Sequence, residues 1–109
     1  SVSKFSADTL TPLGLIINEI ISNSLKYAFP DGQDGVISVS LHQVNEKKFR
    51  LIIGDNGVGF PENFKEDQDS FGSELIEALT EQLNGTLKVR DELKGAFYQL
   101  DFEDVGDEN

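Results

Sequence analysis

Residues 14–28 constrain the fold more than any other stretch, because a helix there carries a core face and a line of functional groups side by side. At 100° per residue, a carboxylate, an amide, an ammonium and a phenol fall within one stripe about 100° wide. They belong to Glu19, Asn23, Lys26 and Tyr27. The adjoining arc is the predicted core face and contains Leu13, Ile17, Ile20, Ile21, Ser24 and Ala28. The stretch therefore predicts a long helix that packs on a second layer, with polar groups at the border of its buried face.

The chemistry of this stripe suits a magnesium and phosphate site. Carboxylate and amide oxygens, such as those of Glu19 and Asn23, are ligands that Mg²⁺ prefers. Lys26 lies one turn further on and can neutralise a phosphate group. The alternative is an amphipathic helix whose mixed polar edge only faces solvent, and the helix alone does not decide between the two.

The net charge excludes some classes of partner. Nine basic residues against twenty acidic ones give −11, whereas nonspecific binding to nucleic acid or to anionic membranes needs a basic surface. We therefore expect no nucleic-acid partner and no membrane contact. Much of the acid lies in residues 62–69 and 101–108, which we interpret as a loop and an acidic tail that occupies about residues 103–109.

The length of 109 residues predicts a single domain over residues 1–109 with one core. The chain has no Cys, which excludes disulfides and thiolate metal sites. No apolar run approaches the ~20 residues that cross a bilayer. The chain also has no Met, so we expect a domain cut from a longer protein.

The hydrophobic periods predict the element order αββαββ, with a weak extra strand over residues 1–5. The first predicted element is a helix that is capped by Asp8, Thr9 or Thr11 and ends near Ala28, and it is followed by a hairpin of strands 36–42 and 49–55. The second predicted helix covers residues 71–83: Ser70 caps it, Leu75, Ile76, Leu79 and Leu83 are buried, and Asn84 and Gly85 end it. Strands 86–90 and 96–102 complete the order. Residues 57–70 show no period and are interpreted as a long loop. Paired strands separated by single helices predict an α+β two-layer sandwich, with the helices on one face of a mixed, mostly antiparallel sheet.

A second candidate site follows the second strand, where residues 55–60 read DNGVGF. A carboxylate at a strand end, here Asp55, can accept a hydrogen bond from an amino group such as N6 of adenine. Gly57 and Gly59 allow the backbone to approach a flat ring. The same residues are strong turn formers, so a plain turn is the alternative. Residues 69–72 open a helix and suit either an anion site or a simple cap.

Together, the sequences NEIISNSLKY at residues 18–27 and DNGVG at residues 55–59, followed by a glycine that opens a later helix, resemble the GHKL ATPase superfamily. Within it, the chain resembles the ATP-binding catalytic domain of sensor histidine kinases. Residues 12–30 are most similar to the branch whose dimerisation domain is of the second histidine-kinase type. The resemblance covers about residues 8–102 and implies the Bergerat fold.

The resemblance also implies a Mg²⁺-ATP site. Asn23 would bind Mg²⁺, with Glu19 as its acidic partner through metal-bound water, and Lys26 would contact phosphate; these three would be the catalytic residues. Tyr27 would pack near adenine or ribose, and Asp55 would bind adenine N6. The other residues expected around the nucleotide are Gly57, Gly59, Phe60, Phe71, Gly72 and Gly95, with residues 60–71 as the ATP lid.

Two departures from the family pattern bear on affinity. Ala96 follows the last glycine where the family usually has Thr, which removes a hydroxyl from the adenine side. The lid is short and has one glycine motif, FGS at residues 71–73.

The function that the resemblance implies is a cytoplasmic histidine kinase domain. It would donate the γ-phosphoryl of ATP to a histidine on a dimerisation domain absent from this chain, with a response regulator downstream. His42 lies on a predicted strand and is rejected as the acceptor. Three alternatives stay open: an anti-sigma-factor-type serine kinase, an ATP-sensing module without transfer activity, and an α+β interaction domain that binds no nucleotide.

Overall fold

The computed structural model describes residues 5–29, 34–59, 73–90 and 95–105. Two helices and four strands follow one another in the predicted order αββαββ. They are α1 (Ala7–Tyr27), β1 (Ile37–Gln43), β2 (Lys48–Asp55), α2 (Ser73–Gln82), β3 (Thr86–Val89) and β4 (Ala96–Glu103). Of the weak strand predicted over residues 1–5, only Phe5 is described, and it lies outside any strand.

The four strands form one sheet in the order β1-β2-β4-β3, and every neighbouring pair is antiparallel. β1 and β2 form the predicted hairpin, with Leu41 opposite Leu51. Leu51 in turn lies opposite Leu100 of β4. The α+β sandwich is confirmed, and the described part of its sheet is antiparallel throughout, because β4 lies between β2 and β3, the two parallel strands that the crossover through α2 joins.

One face of the sheet packs against both helices and forms the core. The buried side chains are Leu13, Ile16, Ile20, Phe49, Leu51, Ile53, Ile76, Leu79, Leu83, Tyr98, Leu100 and Phe102. They come from α1, α2 and alternate positions of the strands, as the periods of 3.6 and 2 require. Among the residues described, no helix is long and apolar enough to cross a membrane.

The predicted buried stripe of α2 is correct at three positions and wrong at one. Ile76, Leu79 and Leu83 are buried, whereas Leu75 is 47% exposed. The three buried residues already form a stripe at spacings of three and four, and Leu75 lies about 100° away from Ile76 around the helix. Asn84 ends the helix as predicted, in a left-handed conformation with φ of 50°.

The predicted caps of α1 were wrong. The helix begins at Ala7, after an extended Ser6 whose side chain makes no capping hydrogen bond. Thr9 is fully buried, and its hydroxyl donates to Asp104 Oδ1 at 2.6 Å and accepts from the Val105 amide at 2.8 Å. The hydroxyl is therefore engaged with the end of β4 and does not cap its own helix.

Phe5 reinforces the same corner of the molecule. Its ring packs edge-on against Phe49, with 4.9 Å between ring centroids, and tilts against Phe102 at 6.0 Å. Together with the Thr9–Asp104 hydrogen bond, these contacts hold the start of α1 against the start of β2 and the end of β4. We call Phe5, Thr9 and Asp104 the anchored corner.

Candidate functional site

A buried carboxylate lies where β2 ends beneath the last turns of α1. Asp55 is 1% exposed. Its Oδ2 accepts a 2.6 Å hydrogen bond from Ser24 Oγ, and its Oδ1 accepts from the amides of Gly57 at 2.9 Å and Ala96 at 3.4 Å. All three donors are neutral. An ionised carboxylate offers about four acceptor positions, so these bonds leave capacity for one further donor from a ligand.

Ser24 was assigned to the core face by the helical pattern, and its functional contact was missed. The residue is buried, as predicted, but its hydroxyl lies against Asp55, which is 31 positions away in the sequence. The available signal was a hydroxyl on an otherwise aliphatic face, because buried polar groups need a partner. The sequence pattern could not say which partner.

Two glycines let the backbone close around Asp55. Gly95 has φ of +96°, and a Cβ there would collide with the Asp55 carbonyl oxygen and lie 2.9 Å from Asn56 Cα. A Cβ on Gly57 would collide with the Ala28 carbonyl oxygen, which accepts a 3.0 Å hydrogen bond from the Val58 amide. The start of β4 therefore approaches the end of β2, and the turn after β2 approaches the end of α1, only because these positions have no side chain.

Tyr98 shares the environment of the buried carboxylate. Burial of the phenol, and secondarily the charge of Asp55, raise the pKa of Tyr98 to about 12. The phenol is therefore neutral throughout the physiological pH range. It lies on the core face of β4, opposite Ile53 of β2.

The polar stripe of α1 lies at the same end of the helix as Asp55. Glu19 and Asn23 are half-buried and Lys26 is exposed. Asn23 precedes Ser24, the residue whose hydroxyl bonds Asp55, and the two side chains point about 100° apart around the helix. The two candidate sites therefore lie at the same end of α1, and their joint role stays a prediction.

The donor set of this stripe fits Mg²⁺. Asn23 and Glu19 supply one amide and one carboxylate on the same side of α1, and neither is fully buried. Within the described ranges, no group of three or more His, Asp or Glu side chains could hold a metal ion by itself. That is the ordinary condition for Mg²⁺, which usually keeps several waters and takes further oxygens from substrate phosphates.

Comparison with known proteins decides the family. Residues 9–105 match the family described as "Histidine kinase-, DNA gyrase B-, and HSP90-like ATPase". The chain belongs to this ATPase family. The membership implies ATP binding, and it agrees with the observed order of elements.

Two curated relatives of this chain are named as protein kinases. Blue-light-activated histidine kinase 2 of Erythrobacter litoralis (strain HTCC2594) is 26% identical over 95 residues, 86% of this chain and 28% of the relative. Serine-protein kinase RsbW of Listeria innocua is 38% identical over 56 residues, 51% of this chain and 35% of the relative. The chain thus spans about a third or less of the length of these relatives.

A solved structure extends the comparison to three dimensions. The blue-light-activated histidine kinase EL346 of Erythrobacter litoralis superposes with a TM-score of 0.81 at 25% identity, over 92% of this chain and 32% of that chain. The ATPase-family fold is therefore shared over nearly the whole chain.

Several residues predicted for the ATPase site lie outside the described ranges. They are Phe60, Phe71 and Gly72, together with the whole predicted lid over residues 60–71. Tyr27 is the last residue of α1, and its side chain is likewise not described. Their roles stay predictions.

Proposed function

We propose that this chain is the Mg²⁺-ATP-binding catalytic domain of a two-component sensor histidine kinase. The observation that carries the proposal is the buried Asp55 carboxylate, held by three neutral donors with capacity for one more, beside the Glu19 and Asn23 stripe. The similarity to histidine kinases over most of the chain supports the same function.

In this proposal Asp55 recognises the adenine. Its carboxylate accepts a hydrogen bond from the exocyclic N6 amino group, which is a donor and so needs an acceptor as its partner. Ser24 fixes the rotation of the carboxylate through Oδ2, and the Gly57 and Ala96 amides fix Oδ1. Gly59 and Gly95 leave room for the ring, with Phe60, Phe71 and Gly72 completing the site from the lid.

The triphosphate lies along the stripe of α1. Asn23 would hold Mg²⁺ directly and Glu19 would hold it through water, and the ion would neutralise charge on the phosphate oxygens. Lys26 adds a positive charge at the exposed end of the stripe, where its ammonium reaches a phosphate oxygen. Phosphoryl transfer depends mainly on positioning and charge neutralisation, so these three residues serve as the catalytic set.

The acceptor lies outside this chain. The γ-phosphoryl passes to a histidine on a dimerisation domain of the same, longer protein, and from there to a response regulator. His42 is exposed on β1, on the sheet face opposite the helices, and so is not the acceptor. The proposal places the domain in the cytoplasm, where ATP and a response regulator are both present.

A serine kinase is the second candidate, favoured by the match to RsbW over half of the chain. The two candidates share the nucleotide site and differ in the acceptor. Phosphohistidine is lost in acid, whereas phosphoserine survives. Acid treatment of the phosphorylated product, formed either with the dimerisation domain or with a protein partner, therefore distinguishes a histidine kinase from a serine kinase. ATP binding without any phosphoryl transfer would instead indicate a sensing module.

The nucleotide site is tested by calorimetric titration of ATP into the chain with and without Mg²⁺. We expect wild type to bind, Asp55→Asn to lose binding, and Asn23→Ala to lose mainly the dependence on Mg²⁺. Asn18→Ala is the matched control, because Asn18 is exposed on the same helix but lies off the stripe. A folded wild-type chain that binds no ATP at millimolar concentration would refute the proposal.

A further inference from the structure

The outward edge of β1 is a surface that the nucleotide site does not use. The Val44 amide donates to the Lys48 carbonyl at 2.7 Å, and the Asn56 amide donates to the Val36 carbonyl at 3.1 Å. Even-numbered residues of this segment thus direct their backbone groups toward β2. In an antiparallel pair the direction alternates, so the backbone groups of Ile37, Val39 and Leu41 point away from β2. No other strand in the described ranges pairs with this edge.

This edge lacks the usual protection against pairing. Edge strands are commonly guarded by Lys, by other charges, by Pro or by a bulge. Ile37–Gln43 reads ISVSLHQ and contains no Pro and no Asp, Glu, Lys or Arg. β3, at the opposite edge, has only four residues and carries the exposed Lys88.

Apolar side chains are exposed along the same strand. Val39 is 50% exposed, and Val36 and Val44, which flank the strand, are 57% and 56% exposed. Val39 lies on the face of the sheet that the helices cover, in line with the half-buried Leu41. A strand added to this edge would bury all three valines.

We propose that β1 pairs antiparallel with β1 of a second copy of this chain, about a two-fold axis through Ser40. Val39 then lies opposite the partner's Leu41, and Ser38 opposite the partner's His42. Every residue whose backbone points outward meets another such residue, so the hydrogen-bonding ladder closes without a shift. The two sheets become one continuous sheet of eight strands.

The register pairs apolar side chains with apolar side chains across the two-fold axis. Inside the strand no like charges meet, and apolar pairs fall on both faces: Val39 with the partner's Leu41, and Val36 with the partner's Val44. At its rim, Asp34 faces the partner's Glu46, and each chain carries −11. Association should therefore strengthen as salt screens this repulsion.

Cysteine cross-linking tests the register, because the chain has no Cys of its own. The two copies of residue 40 meet on the axis at a non-hydrogen-bonded position, where Cα atoms are about 4.5 Å apart and a disulfide can form. Ser38→Cys is the matched control on the same strand and face. Its two thiols would be four residues, about 13 Å, apart along the strands. We expect Ser40→Cys to form disulfide dimer at least about ten times faster than Ser38→Cys; equal rates, or no dimer from either, would overturn the proposal.

Charge substitution at the axis gives a second test by sedimentation equilibrium. Wild type should approach the mass of two chains at millimolar concentration in high salt, whereas Ser40→Lys and Ser40→Glu should each stay at the mass of one. An equimolar mixture of the two variants should restore the dimer. Thr86→Lys, on the other edge strand, is the control and should associate like wild type. Wild type that stays at the mass of one chain overturns the proposal and leaves ATP binding unaffected.

Discussion

Ser24 Oγ donates a 2.6 Å hydrogen bond to Asp55 Oδ2, and both residues are buried. The bond joins the helix that carries Asn23 to the strand that carries the proposed adenine acceptor. The two halves of the proposed nucleotide site, which lie more than 30 positions apart in the sequence, are thereby tied to each other.

Ser24→Ala should weaken both the fold and ATP binding. Loss of a hydrogen bond to a charged acceptor costs about 1.5–3 kcal/mol, so we expect the free energy of unfolding to fall by that amount. Denaturant titration measures the loss, and calorimetry measures the affinity for ATP. Ser22→Ala, a half-buried serine on the same helix, is the control and should change stability by less than about 0.5 kcal/mol, as expected from helix propensity. Equal effects of the two substitutions would contradict the role given to Ser24.

Gly95→Ala should be more damaging than Gly59→Ala. Both glycines have positive φ, +96° and +88°, so an alanine at either is strained by about 1–2 kcal/mol. At Gly95 the new Cβ also collides with the backbone of Asp55, whereas at Gly59 the nearest atom is 3.8 Å away. We expect a total loss of about 2–5 kcal/mol for Gly95→Ala, measured by denaturant titration. Similar losses of stability for the two variants would contradict this prediction, because they would show that the backbone around Asp55 shifts to accommodate the new Cβ.

The raised pKa of the Tyr98 phenol predicts that the folded chain loses stability in alkali. Its pKa is about 12 in the folded chain and 10.0 in the unfolded reference, so the unfolded chain releases the phenolic proton first. The stability that the neutral phenol contributes is complete below pH 10 and is lost as the pH rises toward 12. Denaturant titration across this range should show the decline, and Tyr98→Phe should flatten it.

Absorbance of tyrosinate provides an independent measurement, since the chain has two tyrosines. In the Tyr27→Phe variant Tyr98 is the one tyrosine left, and the absorbance transition of Tyr98 should lie near pH 12 in the folded chain. Adding Asp55→Asn should move the transition downward while leaving it above 10, because burial, the larger cause, persists. A transition near pH 10 in a folded chain would contradict this description of the site.

Gly14→Ala should stabilise the chain. Gly14 is an exposed residue inside α1, and a Cβ there would meet no atom within 4 Å. Alanine in a helix interior is favoured over glycine by about 0.8–1.0 kcal/mol, and we expect the free energy of unfolding to rise by about that amount. Thermal or denaturant unfolding measures it, and an unchanged or lower stability would indicate that this position needs a glycine for another contact.

The sequence predicted well those features that depend on local periodicity. The period-2 pattern of β1 and β2 and the 3.6-residue pattern of α1 give the order of elements, because side-chain spacing decides which face is buried. Asp55 and Asn23 can be named as candidate site residues from their residue types in a recognisable arrangement, and their roles stay predictions. The long-range polar partners could not be predicted. Thr9 meets Asp104 across 95 positions, and nothing in the residues around Thr9 distinguishes that contact from a helix cap.

The anchored corner and the nucleotide site lie at opposite ends of α1. Thr9 and Ser24 are separated by about 22 Å along a continuous helix. The helix is therefore clamped at both ends, by the Thr9–Asp104 bond at its start and by the Ser24–Asp55 bond near its end, with Leu13, Ile16 and Ile20 buried between them. A rotation of only about 5° about one clamp would displace the other by about 2 Å, enough to break the hydrogen bond there. The orientation of α1 is thus fixed by the far corner of the molecule as well as by the contacts around Asp55.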